Sequence, residues 1–568
     1  MLYCCTSFAQ TKEGIEPILI EYQVPQFSEA EASRFDFRKT SNFMDLRFGW
    51  TTKGGKTNEN IALDGPYSKT SKNTRYTKTF ILSDAFKNRG SVFLHLEQLN
   101  SSFSIYLNEF KLDNSIGLHY LTYDISKIIT DSLNTLVIQT QGENSQIPIQ
   151  DIFVFGTPKF YFYSLSMGLM DTGNNDYVTC RSGINKLDIY NEISYETSVK
   201  VFRKDFTYSP HLLQSSFGVK SYFNDDATES YYKVYSHTTG VRGNIFKNSR
   251  IDGGCSRSPR VAASWNAESP KLYKVIHKAQ TNANTDSMFS YQYLGFKTMV
   301  THTDQSVVFN NKPITLKAIA IPSVYGKEED IRQKLMWLKQ NHFNTVVLSE
   351  YAPKICYQLC DTLGIYIVNS IDPNRIEKAK QLYQYQIKNS CVIGSMYLQP
   401  LNKTQLISLK RANGRQSGTE EIPRKFLLQS SKSASIADIT FGFEEIGNGT
   451  NPRLENLKSH YSPINIIHVD SLPNTVVIQN LFDFWQLGNE ITLRWELLEN
   501  ETIIQQKELS EINIQPHQFK EIALNFRPFV KKTTAQYTLR IVANYANKPF
   551  WADNSSIYSR GFVLKNNF

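Results

Sequence analysis

Residues 345–368 read TVVLSEYAPKICYQLCDTLGIYIV, and this stretch decides the architecture of the middle of the chain. The apolar run 345–348 predicts a buried strand, the apolar spacing in 353–363 predicts a helix, and 365–368 predicts a second strand. Strand and helix alternating at this spacing predict βα units with a parallel sheet. The same alternation continues on both sides, with strands predicted at 314–319 and 392–397 and helices at 328–341 and 375–387.

The flanking regions have a different period. Short runs with alternating apolar residues, separated by Asn, Gly and Asp, predict strands packed as β-sandwiches. One long interruption, Gly240–Pro259, is rich in Gly, Ser and Asn and predicts a long loop. The predicted strands include 76–80, 91–96, 103–107, 196–202, 271–276, 475–478, 491–497 and 536–542.

The composition of the chain argues against two classes of partner, nucleic acids and the membrane interior. The 568 residues include 62 basic and 53 acidic side chains, so the net charge of +9 is small, and no basic stripe of the kind that binds a phosphate backbone occurs. We therefore expect no nucleic-acid partner. No apolar run of about 18 residues is present, and a transmembrane segment is not expected either.

The cysteines and the N-terminus give weaker signals. Seven cysteines occur without paired metal-type spacing; Cys356 and Cys360 sit on a predicted helix, where buried, reduced thiols are expected. We expect no metal and no cofactor. The sequence Ser7-Phe-Ala9 is similar to a signal-peptide cleavage site, which favours an exported protein in the periplasm or at the cell surface.

Motifs along most of residues 34–568 resemble those of glycoside hydrolase family 2, especially its β-galactosidase-type members. The resemblance implies a jelly-roll domain, an immunoglobulin-like sandwich, a (β/α) barrel and a C-terminal sandwich, a multidomain and mainly β fold. The motifs that carry it are Tyr76–Phe80, Val92–Leu96, Phe103–Asn108, Trp265–Tyr273, Asn311–Ile314, Leu335–Val346, Leu363–Val368, Asn480–Phe484 and Arg494–Glu499.

The expected domains follow from this order. The barrel region offers about 150 residues, whereas a complete eight-stranded barrel takes about 250. We therefore expect a truncated, degenerate barrel. The predicted units are an N-terminal segment with a possible signal remnant (1–33), the jelly-roll (34–164), the immunoglobulin-like sandwich (165–305), the truncated barrel (306–460) and the C-terminal sandwich (461–568).

The resemblance also implies where catalytic groups should lie. In the family the fourth barrel strand ends in an Asn-Glu pair whose Glu is the general acid/base, and here Leu398 and Gln399 occupy those positions. A glutamine amide has no proton to deliver at neutral pH. The chain is therefore expected to lack catalytic residues.

Other pocket positions depart from the family in the same direction. The family's Asn, Arg and His after the first strand correspond to Ala320–Ser323, its His before a Tyr is Glu350, and its acidic residue after the third strand is Ser370. Tyr351 alone of this group matches, which makes it a candidate binding residue.

Three functions stay open at this point. The favoured one is a non-catalytic binding or structural subunit of a cell-surface glycan-handling or outer-membrane complex, with a protein partner and a possible carbohydrate ligand. A working glycosidase would need relocated carboxylates, such as Asp372 with Glu444 or Glu445. A lectin-like protein could stack sugar on Trp50, which lies beside a Gly-rich loop.

Overall fold

The described part of the chain is mainly β, and the predicted fold class is confirmed. Eight β-sheets and four α-helices occur within it, and none of these helices is long and apolar enough to cross a bilayer. The computed structural model describes residues 24–32, 34, 36–53, 75–86, 90–98, 103–112, 120–140, 149–158, 160–171, 176–186, 196–203, 212–215, 235–236, 248–254, 264–280, 287–295, 297–301, 307–348, 352–371, 389–397, 420–421, 427, 435–449, 451–468, 474–510 and 512–564.

The first domain is a sandwich of two antiparallel sheets, with strand orders β1-β9-β4-β7 and β2-β3-β8-β5-β6. Alternate residues of both sheets meet in one apolar core that includes Leu94, Tyr123 and Ile138. Its strands are β1 (Phe43–Asp45), β2 (Thr51–Lys53), β3 (Arg75–Phe80), β4 (Ser91–Gln98), β5 (Phe103–Leu107), β6 (Phe110–Leu112), β7 (Tyr120–Asp124), β8 (Asn134–Thr140) and β9 (Ile149–Thr157).

Two further four-stranded antiparallel sheets follow, with orders β10-β11-β15-β14 and β13-β12-β16-β17. Strand β15 occupies residues 248–254 of the segment predicted as a long loop, and there the prediction was wrong, since seven residues pair with β11 despite the glycines. The rest of that segment lies outside the described residues. The strands are β10 (Phe160–Asp171), β11 (Asp176–Lys186), β12 (Glu196–Arg203), β13 (Leu212–Ser215), β14 (Tyr235–Ser236), β15 (Asn248–Gly254), β16 (Tyr273–Gln280) and β17 (Ser287–Leu294).

A small sheet leads into the predicted βα region, where five parallel strands lie in the order β21-β22-β23-β24-β25. The first parallel strand starts at Ala318 rather than at 314, because Lys312 pairs backward with Phe309. The elements are β18 (Met299–Thr301), β19 (Val307–Phe309), β20 (Lys312–Pro313), β21 (Ala318–Ile321), α2 (Glu328–Gln340), β22 (Thr345–Leu348), α3 (Lys354–Leu363), β23 (Tyr366–Ile371), β24 (Val392–Tyr397) and β25 (Glu420–Glu421).

The two helices start and stop where the sequence predicts. Three acidic residues, Glu328, Glu329 and Asp330, occupy the first turn of α2, where their negative charges interact favourably with the positive end of the helix dipole. Helix α3 ends at Gly364, whose φ of 73° lies in the left-handed region. The predicted helix at 375–387 lies outside the described residues.

After the parallel sheet the chain returns to its first strand. Thr440 forms a parallel bridge with Ala320, and Phe441 donates its N–H to the Ala320 carbonyl at 3.0 Å. The outer edge of β21 is therefore paired by the chain's own later segment. Helix α4 (Pro452–Ser459) follows and leads to the last domain.

The last domain is a sandwich with sheet orders β26-β27-β30 and β29-β28-β31-β32. Its core gathers inward residues of both sheets, including Ile478, Trp495 and Ile541. The strands are β26 (Ile464–His468), β27 (Thr475–Asn480), β28 (Ile491–Glu499), β29 (Thr502–Glu508), β30 (Phe519–Ala523), β31 (Tyr537–Tyr545) and β32 (Ser556–Val563).

Residues 24–32, which the sequence grouped with a possible signal remnant, belong to the folded protein. Gln26 exchanges two backbone hydrogen bonds of 2.8 Å with Phe289 of β17. Asn42 donates its side-chain amide to Pro25 O at 2.9 Å and to Gly156 O at 2.6 Å. The segment thus links the first two sandwiches, and α1 (Glu29–Ala32) lies within it.

Glu268 connects three parts of the molecule. Its carboxylate accepts the backbone N–H groups of Asp483 at 2.7 Å, Phe484 at 2.8 Å and Trp485 at 2.6 Å. Asp483 in turn accepts the N–H of Thr315, just before β21, at 3.1 Å. Hydrogen bonds at Glu268 and Asp483 therefore connect three parts of the chain: the segment before β16, the segment before β21, and the last sandwich.

We expect Glu268→Ala to lower the free energy of unfolding by about 3–5 kcal/mol, because three partly or fully buried N–H donors lose their acceptor. Urea unfolding monitored by tryptophan fluorescence measures the change. Glu508→Ala, at an exposed position of β29, is the control and should change it by less than about 0.5 kcal/mol. Equal effects of the two substitutions would contradict the role given to Glu268.

Candidate functional site

The carboxyl ends of the first four parallel strands meet along one side of the sheet. We call this the carboxyl edge and define it by residues 321–326, 348, 369–371 and 395–397. In (β/α) folds, ligands bind at this side because the loops and free side chains of successive strands converge there. It is the candidate functional site.

None of the described residues 321–326, 348, 369–371 and 395–397 is acidic, although Glu444, on the turn that follows Thr440, hydrogen-bonds Tyr325 of this edge. Its residues are Ile-Pro-Ser-Val-Tyr-Gly after β21, Leu348 at the end of β22, Asn-Ser-Ile at the end of β23 and Ser-Met-Tyr at the end of β24. Asn369 pairs with Ser395, and Ser370 pairs with Met396. Since paired residues of neighbouring strands face the same side, Asn369 and Ser395 share one face.

Ser370, which the family resemblance aligns with an acidic residue, is only 9% exposed. Within the described part of the chain its Oγ has no hydrogen-bond partner. A buried hydroxyl can donate one hydrogen bond and accept others, but it does not supply a proton at neutral pH as a carboxylic acid does. This position is suited to holding a polar group and not to general acid catalysis.

Some of the other predicted site positions lie within the described residues and some lie outside them. Ala320 and Ile321 are fully buried in β21, and Ser323 is partly exposed after it. Gln399, Tyr351, Glu350 and Asp372 lie outside the described residues. The structure therefore places Ser323 and Ser370 at the ends of two different strands, β21 and β23, of the carboxyl edge.

Glu445 has a structural task. One carboxylate oxygen accepts the N–H of Gly442 at 2.9 Å, and the other accepts the side-chain amide of Asn451, the residue that caps α4. These two hydrogen bonds lower the pKa of Glu445. Both oxygens are thus occupied in holding the turn at 443–445 to the start of α4.

Glu444 points to a different neighbour. Its Oε2 accepts a hydrogen bond of 3.1 Å from the hydroxyl of Tyr325, and burial together with this carboxylate raises the pKa of the Tyr325 hydroxyl. Lys334 of α2 donates to the carbonyl of Ile446 at 3.0 Å. The turn therefore contacts both α2 and Tyr325 of the carboxyl edge.

No metal-binding group of three His, Cys, Asp or Glu side chains occurs among the described residues. Cys356 and Cys360 of α3 and Cys391 before β24 are buried and free. The Cys391 thiol donates to the Tyr357 carbonyl at 3.4 Å, and burial raises the pKa of Cys360 and Cys391 well above the usual value. These thiols are poorly suited to metal binding because they resist deprotonation.

Trp50 does not offer a surface to a sugar, which corrects the sequence-based hypothesis. Its side chain is 0% exposed, it belongs to the core of the first sandwich, and its indole N–H donates to the Leu46 carbonyl at 2.6 Å. The adjacent glycines suggested exposure, but the backbone turn at Gly49, with φ of 74°, directs the indole inward.

We expect Trp50→Ala to lower the free energy of unfolding by about 3–5 kcal/mol, the usual cost of truncating a large core aromatic. The neighbouring Phe48 is 48% exposed, so Phe48→Ala should cost less than about 1 kcal/mol. Urea unfolding of the two variants makes the comparison. A stable Trp50→Ala protein would show that the indole is not a core side chain.

Comparison with known proteins relates this architecture to glycosidases. A family model described as "Beta-galactosidase, domain 4" matches residues 476–561. A beta-galactosidase of Priestia megaterium is 22% identical over 334 residues, which is 55% of this chain and 30% of that protein. One of Pseudoalteromonas haloplanktis is 30% identical over 141 residues, 22% of this chain and 13% of that protein.

Solved structures show the same fold over most of the chain. The beta-glucuronidase of Bacteroides uniformis superposes with a TM-score of 0.55 at 12% identity, covering 92% of this chain and 80% of that one. A glycosyl hydrolase family 2 member from Bacteroides cellulosilyticus gives 0.55 at 10% identity, covering 92% and 85%. The predicted resemblance to glycoside hydrolase family 2 is confirmed, while the chain spans under a third of the curated relatives it matches.

Proposed function

We propose that this chain is a non-catalytic relative of glycoside hydrolase family 2 that acts as a binding or structural subunit. The observation that carries the proposal is Gln399, which the family resemblance places at the position of the acid/base; none of the described residues 321–326, 348, 369–371 and 395–397 is acidic. Glycoside hydrolysis usually needs two carboxyl groups flanking the bond, at about 5–9.5 Å. Serine and glutamine side chains do not replace them.

The engagement of Glu445 supports the same conclusion. Both oxygens of Glu445 accept hydrogen bonds within its own turn and from the start of α4, from Gly442 and Asn451, which gives this carboxylate a structural role. Glu444 bonds the hydroxyl of Tyr325 at the carboxyl edge. A glycosidase with relocated carboxylates, the alternative function, would have to rearrange this turn before it could act.

The flanking sandwiches support a role in binding or assembly. The first and last sandwiches each have an apolar core of their own, so their folds do not depend on chemistry at the carboxyl edge. Such domains present strand edges and loops to other proteins. We propose an exported protein with a protein partner in a cell-surface glycan-handling or outer-membrane complex, and a carbohydrate as a possible ligand.

Hydrolysis assays test the loss of catalysis. We expect the purified chain to release no aryl group from aryl β-galactosides or aryl β-glucuronides above the buffer rate, and Glu445→Gln to behave identically, because no pair of carboxyl groups flanks a bound sugar. A rate that is measurable in the native chain and lost in Glu445→Gln would establish the alternative, a working glycosidase. Glu455→Gln, on α4, is the matched control.

Purification from the native source tests the subunit role. Affinity capture at moderate salt, followed by mass spectrometry and cell fractionation, should give a stoichiometric partner and an envelope location. A chain that is recovered alone from the soluble fraction would contradict both parts of the proposal.

A further inference from the structure

Residues 447–449, Gly-Asn-Gly, form the exposed tip of the turn that leads into α4. Both glycines have φ in the left-handed region, 80° for Gly447 and 64° for Gly449. Apart from the chain neighbours of Gly449, no atom lies within 4 Å of the position that a Cβ would take there. Asn448 is the only asparagine followed by glycine among the residues that the structure describes. The space around the bond between Asn448 and Gly449 is therefore open.

An asparagine in this position can react with the backbone of the residue that follows it. The Gly449 nitrogen gives up its proton to hydroxide and attacks Cγ of Asn448; a C–N bond forms, the Cγ–Nδ2 bond breaks, and ammonia leaves. The product is a cyclic imide, a succinimide. Water then adds to one of the two ring carbonyls and opens the ring, to aspartate or to isoaspartate. Water is the only other reactant, and nothing is oxidised or reduced.

The fold leaves both reacting groups accessible. Within the described part of the chain the Gly449 N–H donates no hydrogen bond. Glycine also lacks the Cβ that would hinder the approach of its nitrogen to the side chain. The Asn448 side chain is exposed, and its amide donates to the carbonyl of Glu444. A hydrogen bond at the surface costs little to break, because water replaces the protein partner.

The turn that carries Asn448 is held by contacts on both sides. Glu445 accepts the N–H of Gly442 at 2.9 Å, and Lys334 of α2 donates to the carbonyl of Ile446 at 3.0 Å. The segment just before this turn is the one that pairs with β21 through Thr440. The conformation of the turn therefore helps to hold the strand that covers the outer edge of the parallel sheet.

The reaction changes the turn in two ways. A carboxylate replaces the amide of Asn448, and a carboxylate accepts hydrogen bonds but cannot donate one to the Glu444 carbonyl. In isoaspartate the main chain also runs through the former side chain, so the backbone is longer by a methylene group. Both changes act against the contacts that fix the turn.

We propose that Asn448 is a site of spontaneous isoaspartate formation, and that this modification loosens the segment 436–446 where it covers the edge of β21. The arrangement that carries the proposal is an exposed Asn-Gly bond whose attacking nitrogen is free of hydrogen bonds, in the turn that holds this segment. The inference goes beyond the proposed function and does not depend on it, since no ligand or partner takes part in the reaction.

Peptide mapping of the full chain tests the first part. After incubation at mildly alkaline pH, mass spectrometry should show –OH in place of –NH2 at Asn448, and an isoaspartate methyltransferase should label the same peptide. The rate should be several times that at Asn554, an exposed asparagine followed by serine. It should also rise with pH, because the attacking nitrogen must lose a proton. A rate no higher than at Asn554, or aspartate without isoaspartate, would overturn the proposal.

Two variants check the route of the reaction. Gly449→Ala places a methyl group beside the attacking nitrogen and should slow the change at Asn448 to about the rate at Asn554. Asn448→Gln guards against an alanine variant that does not fold, because it alters only an exposed side chain. Its longer side chain cannot form the succinimide, so its peptide should not be labelled. Labelling of this peptide, or an unchanged rate in a folded Gly449→Ala protein, would rule out the proposed route.

Hydrogen exchange tests the second part. The isoaspartate form carries an extra negative charge and can be separated from the unmodified chain by ion exchange. The segment 436–446 should exchange several times faster in the isoaspartate form, whereas the core strand β28 should exchange equally in the two forms. Equal exchange of the segment 436–446 would show that the modification does not loosen it.

Discussion

The arrangement of the domains depends on one carboxylate that is surrounded by backbone. Glu268 accepts three consecutive N–H groups from residues 483–485. Burial and the nearby Asp483 carboxylate raise the pKa of Glu268 to about 7, and the three donors oppose that rise. Charge-assisted hydrogen bonds of this kind offset much of the cost of removing a carboxylate from water. A neutral side chain could not satisfy all three donors from one position.

A buried lysine near Glu268 also connects these segments, as a hydrogen-bond donor rather than an acceptor. Lys339 of α2 donates to the carbonyls of Ala267 at 2.5 Å and Gly364 at 2.8 Å, and burial lowers its pKa to about 7. Its ammonium also lies 5.3 Å from the ring of Trp551 in the last sandwich. The segment around Glu268 is thus fixed by two groups: the Glu268 carboxylate binds the backbone of residues 483–485, and the Lys339 ammonium binds the carbonyl of Ala267. Apolar packing alone would allow the domains to slide, whereas these hydrogen bonds define one orientation.

Much of the fold could be predicted because periodicity is a local property. Most strands with period two and the unit at 345–368 appear within one or two residues of their predicted limits, whereas β16 and β31 extend three or four residues further than predicted. Strand β15 was missed because its glycines resemble a loop, and only pairing with β11 makes it a strand. Trp50 was wrongly predicted to be exposed for a related reason: its burial depends on the conformation of the turn before it, which the local sequence does not determine. Glu97 of β4 and Asp151 of β9 are direct partners in the antiparallel register although 54 residues separate them in sequence, so their proximity becomes visible only once the register is known. The expectation that Gln399 replaces the family's acid/base rests on the family resemblance alone and stays a prediction, because Gln399 lies outside the described residues.

The bridge between Thr440 and Ala320 has a consequence for how such a chain can change. The segment that leaves the parallel sheet lies beside the strand that enters it, so the two connections to the neighbouring sandwiches sit side by side. Strands can then be gained or lost between residues 321 and 440 without moving either connection. The βα region is therefore an insertion whose two ends are adjacent. Its number of strands can change during evolution while the flanking domains keep their positions.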